Sequence, residues 1–449
     1  MSARPTFPLF KWLVPGMQVK RWLALLVLGI ASFTLGVGLW AQVLGAPALW
    51  DEVVRWAARH LSREARQATE LLGSLFVLLG ILAVIVSVRK LVRSLLAAVW
   101  ERDVDELVDV VYQRRWLGRG PKLALVGGGT GLSTMLRGLK QHHDNITAVV
   151  TVADDGGSSG RLRNELGTLP PGDIRNILVA MADTEPLMQD LFEYRFDAGS
   201  GLSGHSFGNL FIAALSRVTG DFETAVAAAS RVLAVRGRAV PSSLQSVTLC
   251  AEYADGSTGR GESSIPAEGK RIRRVYLDPE RPKPSEAALK AIDCAEVIVL
   301  GPGSLYTSIL PNLLVDGIAD AIRRSRALKI YVVNVMTQPG ETDGYDAVEH
   351  VLALERHVGK GLFTYVLMNS APIPAELAQR YALGGSAPIP AQTREVSGLG
   401  YKSVAKPLVS GHDFARHDPE RLAAAIDALI ESDRRTGPRK TERNGALVQ

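Results

Sequence analysis

The sequence predicts an α/β protein whose main domain is a doubly wound, mostly parallel sheet, preceded by a two-helix transmembrane hairpin. From residue 121 onward, short apolar and β-branched runs alternate with Gly-rich loops and helical stretches, which is the pattern of repeated βαβ units. Before that, two uncharged apolar runs occupy residues 22–44 and 71–88. Each is close to the length that crosses the hydrocarbon core of a bilayer.

The composition fits one large α/β domain with appendages, or two to three smaller domains. Hydrophobic residues make up 47% and charged residues 22% of the 449 positions, which are ordinary globular values. The net charge of +5 comes without a Lys/Arg run interleaved with aromatics, so we expect no nucleic-acid partner. Cys250 and Cys294 lie in no CxxC pair, which favours a reducing compartment without disulfides or zinc.

The two apolar runs predict a hairpin rather than a cleaved leader. The first run is longer than the apolar part of a usual signal peptide, and a second run follows it. Trp22, Trp40, Arg89 and Lys90 stand at the ends of the runs, as interfacial anchors do. The alternative is a pair of buried core helices, which the uncharged length of the first run disfavours.

Basic residues predict the orientation of the hairpin. They flank the first run on its N-terminal side and the second on its C-terminal side, although four arginines between residues 55 and 66 weaken the contrast. The positive-inside rule then places both termini, and the main domain, in the cytoplasm. The predicted location is therefore the cell membrane, with two spans and with membrane lipid as a partner of the hairpin.

These signals divide the chain into five parts. Residues 95–120 carry an apolar stripe at helical spacing, which predicts an amphipathic linker helix. The last residues are polar and predict a disordered tail. The predicted parts are a cytoplasmic N-terminus 1–20, the hairpin 21–94, the linker 95–120, the core domain 121–432 and the tail 433–449.

The core domain contains five apolar runs of strand length, at residues 123–126, 146–152, 296–300, 329–333 and 362–367. Strands that are apolar along their whole length are typical of a parallel sheet covered on both faces. Residues 246–253 and 271–277 depart from this pattern, because a Gly/Ser-rich stretch separates them. They predict an antiparallel excursion.

The first Gly-rich loop follows the first strand and opens a helix. It consists of Gly127, Gly128, Gly129, Thr130 and Gly131. Glycines let backbone amides approach a phosphate, and a helix N-terminus adds partial positive charge. The loop is not the dinucleotide fingerprint, because Leu132 stands where the third glycine belongs, and no Lys-Ser/Thr pair makes it a P-loop. A tight turn without a ligand is the alternative.

The second loop places paired carboxylates after the next strand. Asp154 and Asp155 could bind Mg²⁺, hold a ribose hydroxyl or accept a proton from a substrate hydroxyl. One of them could instead cap the next element. The segment that follows could wrap an anion, and its candidate ligand-binding residues are Gly156, Gly157, Ser158, Ser159 and Arg161.

Three further loops complete the candidate site. Asn209 opens an apolar helix close to His205, which we expect to be structural because a lone His seldom catalyses. Ligands of open parallel sheets bind beyond the carboxyl ends of the strands, so the loops together predict a phosphate-bearing, nucleotide-type ligand; each alone could be an ordinary strand-to-helix turn. The candidates in the two loops near residues 301–308 and 334–342 are Gly301, Gly303, Ser304, Tyr306 and Gln338.

The loop motifs together resemble the gluconeogenesis-factor (YvcK-type) proteins, which are relatives of the 2-phospho-L-lactate transferase (CofD). The resemblance covers residues 121–433. It is carried by Val126-Gly-Gly-Gly-Thr-Gly-Leu132, Val152-Ala-Asp-Asp-Gly-Gly-Ser-Ser-Gly-Arg-Leu-Arg163, Pro171-Gly-Asp-Ile-Arg-Asn176, Gly204-His-Ser-Phe-Gly-Asn-Leu210, Gly301-Pro-Gly-Ser-Leu-Tyr-Thr-Ser308 and Asn334-Val-Met-Thr-Gln-Pro-Gly-Glu-Thr342.

The resemblance implies a Rossmann-like core that binds a UDP-sugar such as UDP-N-acetylglucosamine, and a role in cell shape and wall synthesis on gluconeogenic carbon. By motif position, Gly128 to Gly131 would face the diphosphate. Asp154 or Asp155 would face a metal or an acceptor hydroxyl. Asn209 and the loop from Gly303 to Tyr306 would complete the nucleotide pocket. The hairpin lies outside the usual soluble form of this family.

Two functions follow from the resemblance. The first is a regulatory protein that binds a UDP-sugar without turnover. The second is a nucleotide-linked transferase resembling the 2-phospho-L-lactate enzyme, with Asp154 and Asp155 as catalytic residues and Mg²⁺ at Asp155. Either is compatible with a homo-oligomer.

Overall fold

The computed structural model describes residues 20–43, 63–99, 120–183, 186–199, 201–409 and 415–436. It divides the chain into two compact units, residues 1–114 and 115–449, and each is described by itself. Most of the predicted linker and the tail beyond residue 436 lie outside the described residues. The last described helix ends at Thr436, so it includes the first four residues of the predicted tail.

The described residues of the first unit form two helices, α1 (Lys20–Val43) and α2 (Arg63–Val99), which pack as an antiparallel pair. Ser32 Oγ donates to the carbonyl of Phe76 at 2.9 Å, and Ser87 Oγ donates to the carbonyl of Trp22. The sequence prediction of an apolar helical pair is confirmed. The second helix is longer at both ends than its apolar run, because polar helix-forming residues continue it on either side.

Glycines set the close approach of the two helices. A Cβ at Gly36 would lie 2.7 Å from the carbonyl oxygen of Gly73, and one at Gly80 would lie 2.6 Å from the backbone nitrogen of Phe33. Small residues at such a seam let two membrane helices gain van der Waals contact and interhelical hydrogen bonds. Large apolar side chains such as Leu28, Leu78 and Leu82 remain exposed on the outside. By length and composition, both helices could cross a membrane.

The second unit is built on a parallel sheet of seven strands in the order β10-β9-β8-β7-β1-β2-β3. The predicted doubly wound α/β architecture is confirmed. Its central strand is fully buried, as the continuous apolar run predicted. The strands of the unit are β1 (Leu123–Gly127), β2 (Ile146–Val150), β3 (Arg238–Pro241), β4 (Thr248–Tyr253), β5 (Thr258–Arg260), β6 (Ile272–Asp278), β7 (Val297–Leu300), β8 (Leu328–Val332), β9 (Tyr365–Asn369) and β10 (Lys402–Lys406).

The strand order reverses between β1 and β7. The chain runs outward from β1 through β2 to β3, and then returns to the other side of β1 for β7 to β10. Loops after two strands that flank such a switch point diverge to opposite faces of the sheet and leave a crevice between them. The carboxyl ends of β1 and β7 are therefore where this fold offers a ligand site.

The predicted antiparallel excursion is also confirmed. The strands β4, β5 and β6 form a second sheet in the order β5-β4-β6. The middle strand comes from residues 246–253 and one neighbour from residues 271–277, as predicted. The third strand lies in the Gly/Ser-rich stretch between them, whose polar residues gave no strand pattern.

Helices cover both faces of the large sheet and connect its strands. Their apolar faces join one core cluster with the sheet. They are α3 (Gly129–His142), α4 (Gly157–Leu166), α5 (Gly172–Met181), α6 (Pro186–Glu193), α7 (Phe207–Thr219), α8 (Phe222–Val232), α9 (Ser264–Ala267), α10 (Glu286–Cys294), a π-helix (Leu305–Ile309), α11 (Leu310–Leu313), α12 (Ile318–Arg324), α13 (Ala347–Val358), α14 (Ala375–Leu383), α15 (Thr393–Gly398) and α16 (Pro419–Thr436).

Candidate functional site

A cavity of about 250 Å³ opens at the carboxyl ends of β1, β7 and β8. It lies at the switch point, where the fold predicts a ligand site. Of the predicted ligand-binding residues, seven line it: Gly128, Gly129, Thr130, Gly131, Gly303, Ser304 and Gln338.

The first wall of the cavity is the Gly-rich loop at the start of α3. Gly128 is the N-cap of the helix and has no capping side chain, and Gly129 adopts a positive φ of 62°. A Cβ at Gly131 would lie 2.6 Å from the carbonyl oxygen of Pro302, so the two loops at the switch point are in backbone contact. The result is a helix N-terminus that faces a cavity, which is a favourable place for an anion.

Acidic side chains stand behind this wall. The backbone N–H of Gly129 donates to Asp173 Oδ1 at 3.0 Å. Burial and the nearby carboxylate of Asp154 raise the pKa of Asp173 to about 7. Burial and the same neighbour raise the pKa of Glu262 to about 8. Asp173 and Glu262 therefore titrate near neutral pH.

The sequence analysis singled out Asp155 in this region but missed Glu262. In the structure, Asp155 Oδ1 accepts from the backbone N–H and the hydroxyl of Ser263, at 2.9 and 2.8 Å. These bonds connect the loop after β2 to the segment that follows β5. Asp154 Oδ1 accepts from the backbone N–H of Gly156 at 2.9 Å. Within the described ranges, no group of three or more His, Cys, Asp or Glu side chains is arranged to hold a metal ion; Mg²⁺ at Asp155 stays a prediction.

The second wall comes from the loops after β7 and β8. Asn334 Oδ1 accepts from the backbone N–H of Gly303 at 3.1 Å, and Asn334 Nδ2 donates to the Gly303 carbonyl at 2.9 Å. Gln338 Nε2 donates to Ser304 Oγ at 2.7 Å. The motif that contains Asn334 was recognised in the sequence, but the pairing of its amide with the neighbouring loop was not predictable from it.

A third wall was missed by sequence reasoning. Tyr381, Ser386, Arg416 and His417 come from segments far along the chain and line the cavity opposite the Gly-rich loop. Burial lowers the pKa of His417 to about 4, so this imidazole is neutral at physiological pH. Among the described lining residues, Arg416 is the one with a fixed positive charge. No strand-end signal precedes these residues in the sequence.

Several predicted residues lie outside the lining. Ser158 Oγ pairs with His205 Nδ1 at 2.9 Å in a buried contact, and Arg161 donates to the carbonyl of Ser203. Asn209 is buried in α7, and the hydroxyl of Tyr306 pairs with that of Tyr345. The other predicted residues outside the described lining are Gly127, Asp154, Asp155, Gly156, Gly157, Ser159 and Gly301.

A doubly wound sheet with a Gly-rich loop and a cavity at its switch point defines the class of Rossmann-like ligand-binding proteins. The family model of the 2-phospho-L-lactate transferase CofD matches residues 123–409. A "Gluconeogenesis factor" from Bacillus subtilis (strain 168) is 49% identical over 316 residues, which are 70% of this chain and 100% of that protein. This chain belongs to the gluconeogenesis-factor family and carries a CofD-like domain.

Two further relatives differ in how much of this chain they match. A relative from Nostoc sp. (strain PCC 7120) is 48% identical over 93% of this chain and 91% of its own length. A crystal structure of a UPF0052-family protein from Bacillus halodurans, 48% identical, covers 68% of this chain and 99% of its own with a TM-score of 0.67. Because the Nostoc match spans 93% of the 449 residues, it includes most of the first unit, whereas the Bacillus halodurans structure matches fewer residues than the second unit contains. The family therefore includes relatives that match this chain across most of the first unit and relatives, such as the Bacillus subtilis protein, whose whole length matches 70% of it.

Proposed function

We propose that this chain is a regulatory protein that binds a UDP-sugar of the UDP-N-acetylglucosamine type in the switch-point cavity. The observation that carries the proposal is that the N-terminus of α3 and Arg416 line one cavity. Both attract the negative charge of a diphosphate. By binding this ligand, the protein would adjust wall synthesis and cell shape to the carbon source of the cell.

The lining offers places for the rest of such a ligand. Tyr381 has an aromatic ring on which a base could stack, and Ser386 and Thr337 add polar groups beside it. Nucleotide sites combine such an aromatic surface with a few placed hydrogen-bonding groups. The diphosphate would then lie between the Gly-rich loop and the third wall.

Calorimetric titration of the full chain in detergent with UDP-N-acetylglucosamine tests the proposal. Arg416→Ala should weaken binding roughly ten- to a hundred-fold, because losing a charge-assisted hydrogen bond costs about 1.5–3 kcal/mol. Arg380→Ala is the matched control, since it removes the same charge from an exposed residue next to the cavity but outside its lining. Equal effects of the two substitutions, or no heat with the unaltered protein, would refute the assignment.

We further propose that the hairpin of α1 and α2 spans the cell membrane with both ends in the cytoplasm. The supporting observation is that both helices keep large apolar side chains on their outer surface while glycines close their seam. Fusion of reporter domains after residue 99 and at the N-terminus, in cells, tests the orientation. Periplasmic activity of either fusion would contradict it.

A second candidate function is a transferase resembling the 2-phospho-L-lactate enzyme. It is favoured by the carboxyl groups of Asp173 and Glu262, whose pKa values of about 7 and 8 suit proton transfer at neutral pH. Mg²⁺ is commonly held by one or two carboxylates together with the phosphates of the ligand, so a larger protein cage is not required. Turnover of a phospho-lactyl nucleotide with a deazaflavin precursor and Mg²⁺, abolished by Glu262→Gln, would support this function over the first.

A further inference from the structure

The second wall of the cavity contains a chain of hydrogen bonds that all point the same way. It begins at the backbone N–H of Gly303, which donates to Asn334 Oδ1. Asn334 Nδ2 donates to Gln338 Oε1 at 3.3 Å, and Gln338 Nε2 donates to Ser304 Oγ at 2.7 Å. We name these four residues the amide relay.

The direction of the amide relay is fixed by the backbone of Gly303. A backbone N–H can only donate and a carbonyl can only accept. Asn334 faces both groups of Gly303, so its oxygen must point to the N–H and its nitrogen to the carbonyl. The nitrogen of Asn334 then requires an acceptor from Gln338, which leaves the nitrogen of Gln338 for Ser304. Neither amide can be flipped without placing two donors or two acceptors against each other.

The side chain of Ser304 does not cap the π-helix, although Ser304 stands at its N-cap position. It is the N-cap of the π-helix, where a serine hydroxyl normally accepts a hydrogen bond from a backbone amide of the first turn. Here the carboxylate of Glu341 takes that role, because it accepts from the backbone N–H of Tyr306 at 3.3 Å and from Thr307 Oγ1 at 3.1 Å. Ser304 makes no side-chain capping bond.

The hydroxyl of Ser304 therefore keeps its O–H and one of its two lone pairs. Its oxygen accepts from Gln338, and no hydrogen bond donated by that hydroxyl is found among the described residues. Ser304 lines the cavity next to Gly303, and the Gly303 loop touches the Gly-rich loop through Gly131. Because the wall uses a lone pair of this hydroxyl, its O–H stays available to an acceptor in the cavity.

We propose that the amide relay makes Ser304 an obligate hydrogen-bond donor to an anionic oxygen of the bound ligand, and that Asn334 and Gln338 act as positioning residues. This inference rests on the proposed diphosphate ligand and deepens it. It also changes the role of Gln338, which sequence reasoning treated as a direct ligand. The oxygen and one N–H of the Gln338 amide are used within the wall, so the proposal assigns its effect on binding to the orientation of the Ser304 hydroxyl.

Gln338→Glu tests the relay because it reverses the last bond without changing the shape of the side chain. A carboxylate still accepts from Asn334, but towards Ser304 it can only accept. The hydroxyl of Ser304 would then donate to the carboxylate at position 338, and only its lone pairs would be available to the ligand. Gln338→Met is a second background, which removes the amide donor without adding charge.

The measurement is the loss of binding affinity that Ser304→Ala causes in three backgrounds: the natural chain, Gln338→Glu and Gln338→Met. Full-length protein in detergent is titrated with UDP-N-acetylglucosamine, UDP and inorganic diphosphate. We expect Ser304→Ala to weaken binding about tenfold in the natural chain, the usual size for a hydrogen bond to a charged group. In the Gln338→Glu background we expect no loss, and in the Gln338→Met background a smaller loss. Because each comparison is made within one background, the added charge of the carboxylate cancels.

Thr134→Val is the matched control for removal of a lining hydroxyl. Thr134 also lines the cavity, but its hydroxyl donates to the carbonyl of Thr130 at 2.9 Å. The loss of binding affinity caused by Thr134→Val should be the same in all three backgrounds. Thermal unfolding of each variant shows that the fold is intact.

The outcomes separate the relay from the proposed function. An equal cost of Ser304→Ala in all backgrounds overturns the relay and leaves UDP-sugar binding standing. Binding of diphosphate but not of UDP-N-acetylglucosamine, with the expected dependence on background, supports the relay and overturns the proposed ligand. A folded natural chain that binds none of the three probes overturns both.

Discussion

At the scale of single residues, the carboxyl groups behind the Gly-rich loop govern how the domain responds to pH. Asp173 accepts from the first backbone amide of α3 and lies near Asp154. Its raised pKa means that the folded protein holds a proton that the unfolded chain releases. Such a group contributes stability at low pH, and this contribution is lost as pH rises from the unfolded value of about 4 through the folded value of about 7.

Asp173→Asn should remove this pH dependence. The amide oxygen can still accept from Gly129, but it carries no charge to bury. We expect the variant to unfold a few degrees higher than the natural chain at pH 8, with the difference shrinking towards pH 5. Thermal unfolding of both proteins between pH 5 and 8 measures it. A constant difference across that range would show that Asp173 does not titrate there.

At the scale of elements, α3 and α16 are held together by a backbone contact. A Cβ at Gly138 would overlap the carbonyl oxygen of Pro419, the first residue of α16. Asp427 of α16 also pairs with both His142 and His143 at the end of α3. The contact matters for the site because Arg416 and His417 directly precede α16.

Gly138→Ala should therefore destabilise the domain and weaken ligand binding together. Overpacking of a close contact costs typically about 1–3 kcal/mol, and a displaced α16 would move the third wall. Gly398→Ala is the control, because nothing lies within 4 Å of a Cβ there; we expect it to be neutral or slightly stabilising. Chemical denaturation and calorimetric titration of both variants provide the comparison. Destabilisation with unchanged affinity would mean that the third wall does not depend on α16.

The close contact between α1 and α2 can also be tested by enlarging a glycine. Gly80→Leu should separate α1 from α2, because a Cβ there already lies 2.6 Å from the backbone of α1. Gly38→Leu is the matched control, since its Cβ would meet nothing within 4 Å. In detergent micelles we expect faster proteolysis of the first variant only. Equal resistance of the two would show that the glycine seam does not hold the pair.

At the scale of the whole molecule, the described lining of the cavity belongs to the second unit. All described residues that line the cavity fall between Gly128 and His417, and the second unit begins at residue 115. The Bacillus subtilis relative matches only 70% of this chain over its own full length. The first unit is therefore dispensable for building the cavity.

A chain of residues 120–449 should thus fold without detergent and bind the same ligand. We expect its Kd for UDP-N-acetylglucosamine to lie within about twofold of the full chain, since no lining residue is removed and 0.4 kcal/mol is roughly a factor of two. Side-by-side titration and thermal unfolding test this. A much weaker affinity of the shorter chain would assign the first unit a part in the site.

The strands of the large sheet differ in how clearly the sequence reveals them. The interior strands β1 and β7 are buried along their whole length, so each of them is a continuous apolar run that stands out from its polar surroundings. The edge strands β3 and β10 have one neighbour each, and the exposed or half-exposed side chains of β10 allow polar residues. Their mixed sequences carry no continuous apolar run, so they were not predicted.

The sequence by itself determined the family, the apolar hairpin, the parallel sheet and the Gly-rich loop at its switch point, because these depend on local patterns of burial and backbone freedom. Only the tertiary structure decided which residues meet at the cavity. Arg416 joins Gly128 from almost three hundred positions away, Asp155 accepts hydrogen bonds from Ser263, and Gln338 donates to Ser304. Such pairings depend on where distant backbone segments pack, and no local pattern encodes that.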